Sequence, residues 1–321
     1  MTLNCPSNES CDQTAGPFFS LVMPVWNRAN LVRCALDSIY AQGFTDYEIV
    51  LVDDGSTDEL NEAIRPYLQR GLTFLRNERN MGVGVARNRG VRASHGSWII
   101  FFDSDNRLLP DALAASHARA MEADSKVGVI WGRSRLHGVP NAPKDKIRLE
   151  RMNYHDLLVL NSDIPEAVPI VRRTLIERFP FHENLGTRRE CGSLVWHAIA
   201  RAGFDYVWTR EMVQEYFLQP DSLSAKDYLS RHPEEMVVHF QHWLADFGPD
   251  LLHASKGGYI RMLQKASFYC ILASRYRQAL QYAIHAIQCR PLNARSLALL
   301  PLCLVGPRGA RWLYRNLNSA D

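Results

Sequence analysis

Residues 99–106 place two acidic side chains directly after an apolar run. Residues 99–102 (Ile-Ile-Phe-Phe) are typical of a buried parallel strand, and Asp103 and Asp105 follow it, one residue apart. Both carboxylates are therefore expected where the sheet ends and a loop begins. Two carboxylates on such a turn can hold one divalent cation, whose open positions accept diphosphate oxygens. This arrangement would support departure of a nucleoside diphosphate, because the cation neutralises charge that develops on the leaving group.

A second acidic pair follows another apolar run. Residues 47–52 predict a strand of almost unbroken hydrophobic residues, and Asp53 and Asp54 come directly after it. A carboxylate at this position can accept a hydrogen bond from the imide nitrogen of a uracil or from a ribose hydroxyl. The alternative is that these acids cap the next helix, where they would complement the helix dipole. The residues alone leave both interpretations open.

Two glycines, Gly82 and Gly84, lie at the start of a helical pattern over residues 83–94. They are not a dinucleotide-binding loop, because the third glycine is missing and no strand directly precedes Gly82. We interpret residues 81–90 as the start of a helix, where Gly82 and Gly84 allow the backbone to come close to a ligand.

Strand and helix alternate along the first third of the chain. Strands are predicted at residues 18–23, 47–52, 72–75 and 99–102, with Pro24 ending the first and Asn27 capping the helix after it. The pattern predicts an α/β fold with a mostly parallel sheet and right-handed crossovers, whose ligands bind at the carboxyl ends of the strands. The polar residues at three of these ends are expected to form one site.

The later part of the chain is expected to change from mixed to helical structure. The predicted elements are a helix at 110–123, a strand at 127–131, a basic loop or lid at 133–151, strand then helix over 168–179, and a helix at 194–202. Beyond residue 221 the pattern is helical. Residues 274–291 match one hairpin of the tetratricopeptide type, in which small residues let two helices pack closely.

Composition excludes few functions. The 321 residues carry a net charge of +3, which is too small a bias to indicate nucleic-acid binding. Seven scattered cysteines indicate reduced thiols, so we expect a cytoplasmic protein. Residues 1–16 are predicted to be a flexible lead-in, neither signal peptide nor membrane anchor.

The longest apolar run, residues 297–305, is about half the ~20 residues that a membrane span needs, and Pro301 interrupts it. Basic and aromatic residues follow it. One interpretation is a C-terminal helix that closes its own small core. The other is peripheral contact with the inner face of the membrane through the C-terminal region.

Four motifs in order give the chain a recognisable pattern. They are residues 24–28 (Pro-Val-Trp-Asn-Arg), 52–58 (Val-Asp-Asp-Gly-Ser-Thr-Asp), 80–90 (Asn-Met-Gly-Val-Gly-Val-Ala-Arg-Asn-Arg-Gly) and 102–105 (Phe-Asp-Ser-Asp) before Leu109-Pro110. This combination resembles the family 2 glycosyltransferases with the GT-A fold, and weaker similarity continues to about residue 224. The resemblance implies a GT-A domain over residues 17–224, followed by a helical region over 225–321.

The resemblance implies transfer of a sugar from a nucleotide-sugar, commonly a UDP-sugar, to a glycan or lipid-linked acceptor, with inversion and with Mg or Mn. The positions that match the family's donor site are expected to bind the nucleotide-sugar. Asp54 would contact the uracil, Asp103 the ribose side, and Asp105 the metal. The other matched positions are Pro24, Val25, Asn27, Asp53 and Gly82.

The acceptor half departs from the family's pattern at two positions. The family's general base is the aspartate of a Glu-Asp pair, which here reads Glu190-Cys191. Cysteine is a poor proton acceptor unless its pKa is lowered, so either Glu190 is the base or another group serves. Gln219 replaces a histidine that contacts metal or phosphate. These departures motivate an alternative, an inactive relative that binds a nucleotide-sugar or glycan. A nucleotidyltransferase is less favoured, because the chain lacks a glycine-rich, basic loop after the first strand.

Overall fold

The structure is a computed structural model that describes residues 16–137, 149–160, 166–183, 185–188, 192–217, 219, 228 and 231–317, with the backbone alone from residue 311. Strands and helices alternate through its first half. The strands are β1 (Phe19–Val25), β2 (Tyr47–Asp53), β3 (Leu72–Arg76) and β4 (Trp98–Phe101), and the helices between them are α1 (Ala29–Tyr40), α2 (Leu60–Leu68) and α3 (Val83–Arg92).

These four strands are parallel and lie in the order β3-β2-β1-β4. The chain adds strands on one side of β1 and then crosses to the other side. A crevice therefore opens at the carboxyl ends of β1 and β4, where such sheets bind ligands. Both faces of the sheet are covered, since Leu21, Val22 and Met23 are all 0% exposed.

The remaining strands make the sheet mixed. They are β5 (Arg107–Leu108), β6 (Val127–His137), β7 (Arg151–Met152), β8 (Ala167–Arg172) and β9 (Asp205–Phe217), and the helices among them are α4 (Ala112–Met121), α5 (Tyr154–Leu160), α6 (Arg173–Arg178) and α7 (Gly192–Arg201). Strand β8 lies antiparallel between β4 and β6, and β6 is parallel to β9. The predicted α/β class, with helices flanking the sheet, is confirmed.

Pro24 does not end the first strand, so that prediction is wrong. Strand β1 continues to Val25, and Pro24 lies opposite Val52 of β2. The Val22 carbonyl accepts from the Phe102 amide just past β4, so residue 24, two positions on, faces the same side. Strand β4 has already ended there. The missing N–H of Pro24 therefore costs no hydrogen bond of the sheet.

The predicted loop over residues 133–151 is wrong at both of its ends. Residues 133–137 continue β6 and pair with β9, residues 151–152 form β7, and residues 138–148 lie outside the described part. Strand β9 was not predicted. Its pairing with β6 contains register shifts, which break the simple alternation that reveals a strand in the sequence.

The C-terminal region is helical. Its helices are α8 (Pro233–Ala254), α9 (Lys256–Leu272), α10 (Tyr276–Cys289) and α11 (Ala294–Leu317). Helix α8 packs against α5 and α7, and the Tyr154 hydroxyl of α5 donates to Asp250 of α8 at 2.6 Å. Helices α10 and α11 pack against α9 and against each other. Among the helices of the described residues, none is long and apolar enough to cross a bilayer.

Candidate functional site

A cleft of about 1390 Å³ opens at the carboxyl ends of β1 and β4. Residues from the ends of β1, β2 and β4 line one wall, and residues from β6, β8, β9 and α7 line the other. Pockets for one drug-sized ligand usually occupy roughly 300–1,000 Å³, so this cleft has room for two bound molecules.

Asp103 and Asp105 both face this cleft, as the sequence predicts. Asp103 Oδ1 lies 3.0 Å from Arg87 Nη2, and Asp105 Oδ2 lies 3.9 Å from Arg28 Nε. The two side chains keep 41% and 19% of their surface exposed. Each carboxylate is therefore held beside a guanidinium while remaining open to a ligand.

The two arginines are functional candidates that the sequence reasoning missed. The Arg87 guanidinium lies 5.6 Å and 5.5 Å from the ring centroids of Phe101 and Phe181, which fixes it below Asp103. Arg28 lies just past β1 and lines the cleft with Arg87. Their positions in the sequence could have identified them, because Arg28 lies in the motif over residues 24–28 and Arg87 in the motif over residues 80–90.

Asp54 is buried, and both oxygens of its carboxylate accept hydrogen bonds. Its Oδ1 accepts from the Asn77 side chain at 2.7 Å and from the Met81 amide at 2.9 Å. Its Oδ2 accepts from the Gly82 amide at 2.8 Å, and the residue lines the cleft although it is only 4% exposed. Asp54 therefore fixes the loop that leads into α3.

Asp53 is completely buried and is not among the residues that line the cleft. Its Oδ1 accepts from the Ser56 amide at 2.8 Å, and its Oδ2 lies 3.3 Å from Arg76 Nε. The helix-capping alternative is wrong for both acids, because α2 begins after Glu59 without a side-chain cap. They bind neighbouring loops instead.

Asn27 connects the loops that follow β1 and β2. Its side-chain Oδ1 accepts from the backbone amide of Thr57 at 2.8 Å, and its backbone amide donates to the Ser56 hydroxyl at 2.9 Å. The predicted cap of α1 is wrong, because Asp58 accepts from the Ala29 amide at 2.8 Å. Asn27 itself is not among the residues that line the cleft, but its neighbours Trp26 and Arg28 are.

Gly82 lies where the two walls of the cleft come together. Its φ is +96°, and a Cβ there would lie 3.1 Å from the Arg188 carbonyl. That carbonyl also accepts from the Val83 amide at 3.2 Å. The absence of a side chain at Gly82 therefore lets the backbone of Arg188 come close, and it also leaves the backbone of Gly82 open to the cleft.

Asn88 makes a second connection between the walls. Its side chain donates to the Phe181 carbonyl at 2.8 Å and accepts from the Phe181 amide at 3.0 Å. The motif over residues 80–90 is therefore held against the segment that contains Phe181.

The predicted catalytic residues Glu190 and Cys191 lie outside the described residues. Arg188 and Gly192, the described residues on either side, both line the cleft. Gln219, where the family's histidine would stand, is half-buried.

The wall opposite the acids is aromatic and holds a neutral histidine. Trp131 and Trp196 line the cleft, whereas Trp208 does not. His197 is buried, and burial lowers its pKa to about 4, although a hydrogen bond between Nδ1 and the Ser193 carbonyl opposes this shift. Its imidazole is uncharged at neutral pH.

The acidic pair on the cleft fits a divalent cation in part. Carboxylate oxygens are the ligands that Mg²⁺ and Mn²⁺ prefer, and Asp103 and Asp105 present theirs to the cleft. Within the described residues no group of three or more His, Cys, Asp or Glu side chains could hold a metal. A cation bound here would need further oxygens from a ligand or from water.

The sequence model of glycosyl transferase family 2 matches residues 20–185, more than half of the chain. TuaG of Bacillus subtilis, a glycosyltransferase named for teichuronic acid biosynthesis, is 26% identical over 66% of this chain and 83% of its own length. Other curated glycosyltransferases align over only 18% to 38% of their own length.

Two solved structures share the fold over almost the whole chain. S. aureus TarS 1–349, in complex with UDP-GlcNAc, has a TM-score of 0.58 at 17% identity, covering 93% of this chain and 91% of that one. The mannosyltransferase PcManGT from Pyrobaculum calidifontis, in complex with GDP-Man and Mn²⁺, has a TM-score of 0.58 at 22% identity, covering 94% and 90%.

Proposed function

Because this chain belongs to glycosyl transferase family 2, we propose that it transfers a sugar from a nucleotide-sugar, specifically a UDP-sugar, to a glycan or lipid-linked acceptor with inversion. The observation that carries this proposal is the arginine-held pair Asp103 and Asp105 on the cleft at the end of β4. The UDP-GlcNAc bound to TarS and the GDP-Man bound to PcManGT support a nucleotide-sugar as the donor.

We propose that the nucleotide binds along the ends of β1 and β2. Pro24 and Val25 line the cleft there and supply its apolar floor. Asp54 uses three acceptor positions within the chain, and a carboxylate offers about four, so one remains for the imide N–H of uracil. Asn27 and Asp53 are positioning residues in this proposal, since they hold the loops that carry the pocket.

We propose that the diphosphate lies beside Asp103 and Asp105. Asp105 would hold Mg or Mn, which would neutralise charge on the departing diphosphate, and Asp103 would contact the ribose side. The Mn²⁺ in the PcManGT complex supports this choice of cofactor. Arg87 and Arg28 orient the two carboxylates and add positive charge where the leaving group develops its negative charge.

The acceptor is proposed to bind against Trp131 and Trp196, whose rings offer the apolar faces on which sugars stack. In the transfer step the acceptor hydroxyl oxygen forms a bond to the anomeric carbon as the bond from that carbon to the diphosphate oxygen breaks. A base takes the hydroxyl proton. We propose Glu190 as the base, because the described residues on either side of it line the cleft.

Binding without transfer is the second candidate, and the Cys191 substitution favours it. The variants Glu190→Gln and Cys191→Ser distinguish the two. If Glu190 is the base, Glu190→Gln lowers the transfer rate about 10²- to 10⁴-fold and Cys191→Ser does not. Unchanged transfer rates in both variants would assign the base to another group. Binding of a nucleotide-sugar with no transfer by the unaltered chain would favour the binding protein.

The test of the donor proposal is a thermal-shift screen of UDP- and GDP-sugars with and without Mn²⁺, followed by hydrolysis and transfer assays. A donor that binds only the folded protein raises its melting temperature. Asp105→Ala should abolish the Mn²⁺-dependent part of the shift. The matched control is Glu62→Ala, an exposed acid on α2 that pairs with Arg65 outside the cleft. Absence of any shift or turnover with every donor would refute the proposal.

A further inference from the structure

Charge is distributed very unevenly along the chain. From Leu251 to Ala320 the sequence contains ten lysine and arginine residues and no aspartate or glutamate, although the whole chain has a net charge of only +3. The preceding part is therefore net acidic. Helices α9, α10 and α11 make up nearly all of this basic part. Such segregation creates a positive surface on one end of the molecule.

Three of the arginines converge on one groove. A groove of about 410 Å³ lies between the start of α9 and the turn that joins α10 to α11, and Arg261, Arg290 and Arg295 line it. None of the three forms an ion pair with any residue that the structure describes. Guanidinium groups without carboxylate partners match phosphate oxygens in charge and in geometry.

The groove is fixed by packing of the helices. Gln264 on α9 donates to the Asn293 side chain at 2.9 Å and to the Ser296 hydroxyl at 2.8 Å. Asn293 in turn accepts from the Ser296 amide at 3.0 Å, at the start of α11. The turn that carries Arg290 and Arg295 is thus held against the helix that carries Arg261.

Large apolar side chains lie exposed beside these arginines. Leu292, which also lines the groove, is 92% exposed, and Leu304 of α11 is 90% exposed. Tyr276, Leu280 and Ile284 are exposed at four-residue spacing, so they form a stripe along one face of α10. A single exposed leucine is ordinary on a protein surface. The hairpin formed by α10, α11 and the turn between them instead has several exposed apolar side chains in a part of the chain that has basic residues and no acidic ones.

We propose that the α10–α11 hairpin and its groove dock the protein on an anionic bilayer. The arginines bind lipid phosphates, and Leu292 and Leu304 enter the boundary between headgroups and acyl chains. A nucleic acid would match the charge but would leave these leucines in water. An apolar protein partner would match the leucines but not the arginines, whereas an anionic lipid surface matches both.

The test is co-sedimentation of the full chain with vesicles of equal parts phosphatidylcholine and phosphatidylglycerol, compared with phosphatidylcholine alone. We expect binding only to the anionic vesicles, weakening as salt is raised. Each arginine near such a surface is worth about fivefold in affinity, so R261Q/R290Q/R295Q should lower binding on the order of 100-fold. Leu292→Ser with Leu304→Ser should also weaken it.

The matched control removes three exposed arginines elsewhere, in R33Q/R65Q/R92Q, and should bind the vesicles as the unaltered chain does. Circular dichroism melting establishes that each variant is folded. Equal binding of both triple variants would overturn the proposal, as would binding to neutral vesicles of the same strength. Competition by a short RNA that depends on the same three arginines would also overturn it. The assay needs neither donor nor acceptor, so its outcome is separate from the transferase proposal.

Discussion

Two pairs of aspartates lie at the ends of two parallel strands, β2 and β4, on either side of β1, yet their surroundings are opposite. Asp53 and Asp54 after β2 are 0% and 4% exposed and accept hydrogen bonds from the Ser56, Met81 and Gly82 amides. Asp103 and Asp105 after β4 keep more surface exposed and lie beside arginines. The first pair, Asp53 and Asp54, holds the loops around the cleft, and the second pair, Asp103 and Asp105, faces the cleft where a ligand can contact it.

The difference follows from what each strand end meets. Strand β2 lies between β1 and β3, and the loops after β2 and β3 supply backbone donors to Asp53 and Asp54. Strand β4 lies at the switch point, where the adjacent β8 runs in the opposite direction and the crevice opens. A carboxylate there has few backbone donors, and arginine side chains supply the countercharge.

Asp105→Asn should produce the largest effect on activity. An amide keeps the shape but loses the charge that would hold a cation, so we expect the transfer rate to fall by about 100-fold or more. The melting temperature should stay within about 2 °C, since the side chain is not buried. Steady-state rates at several Mn²⁺ concentrations measure the first effect. If the transfer rate of Asp105→Asn stayed within a few-fold of that of the unaltered chain, Asp103 and Asp105 would not be the pair that serves the reaction.

Asp54→Asn should show the opposite pattern, with a large loss of stability. An asparagine has one acceptor oxygen and would point its NH₂ group at a backbone N–H of Met81 or Gly82. Leaving such a buried donor unpaired costs about 2–4 kcal/mol of the free energy of unfolding. Urea denaturation measures it, with Asp103→Asn as the matched control, expected to cost less than about 1 kcal/mol. Equal losses in the two variants would contradict the comparison.

The surroundings of Asp103 and Asp105 can be predicted from the sequence more completely than those of Asp53 and Asp54. An apolar strand followed by two acids is sufficient to place Asp103 and Asp105 at a strand end, and the structure brings them to the cleft. The partners of Asp54 could not be predicted, because the Met81 and Gly82 amides lie 27 and 28 residues further along the chain. Nothing local distinguishes a carboxylate that binds a ligand from one that binds such a loop.

The same limit explains the errors elsewhere in the fold. Asn27 has the right type and place to cap α1, but Asp58 from the next loop does so. Pro24 ends a strand by local rules, yet the sheet has no partner at the position where its missing N–H would point. Local patterns predict elements well, whereas the choice among several polar partners is decided by tertiary neighbours.

Burial of His197 on the wall opposite the two aspartate pairs makes the stability of the fold sensitive to acid. Its pKa of about 4 in the folded chain lies below the ~6.5 of an unfolded histidine, so the unfolded state binds the proton more readily. Stability is then complete above about pH 6.5 and falls by about 3 kcal/mol as the pH drops to about 4. His197→Gln should remove this part of the pH dependence, as measured by urea denaturation at several pH values. A slope that is the same in both proteins would assign the acid sensitivity to other groups.

Gly82→Ala should have the smallest effect, and it tests how the first pair is coupled to the opposite wall. A φ of +96° disfavours alanine, and the new Cβ would lie 3.1 Å from the Arg188 carbonyl. We expect a loss of about 1–2 kcal/mol, part of it from backbone strain alone. Gly71→Ala separates the two parts, because Gly71 has a φ of +85° with open space around it. Strain is common to both variants, so any excess loss at Gly82 measures its contact with the opposite wall. That contact shares a loop with the backbone donors of Asp54, so Gly82→Ala should raise KM for both donor and acceptor, whereas Gly71→Ala should change neither. A rise in the donor KM alone would show that the loop serves the nucleotide pocket without coupling the two walls.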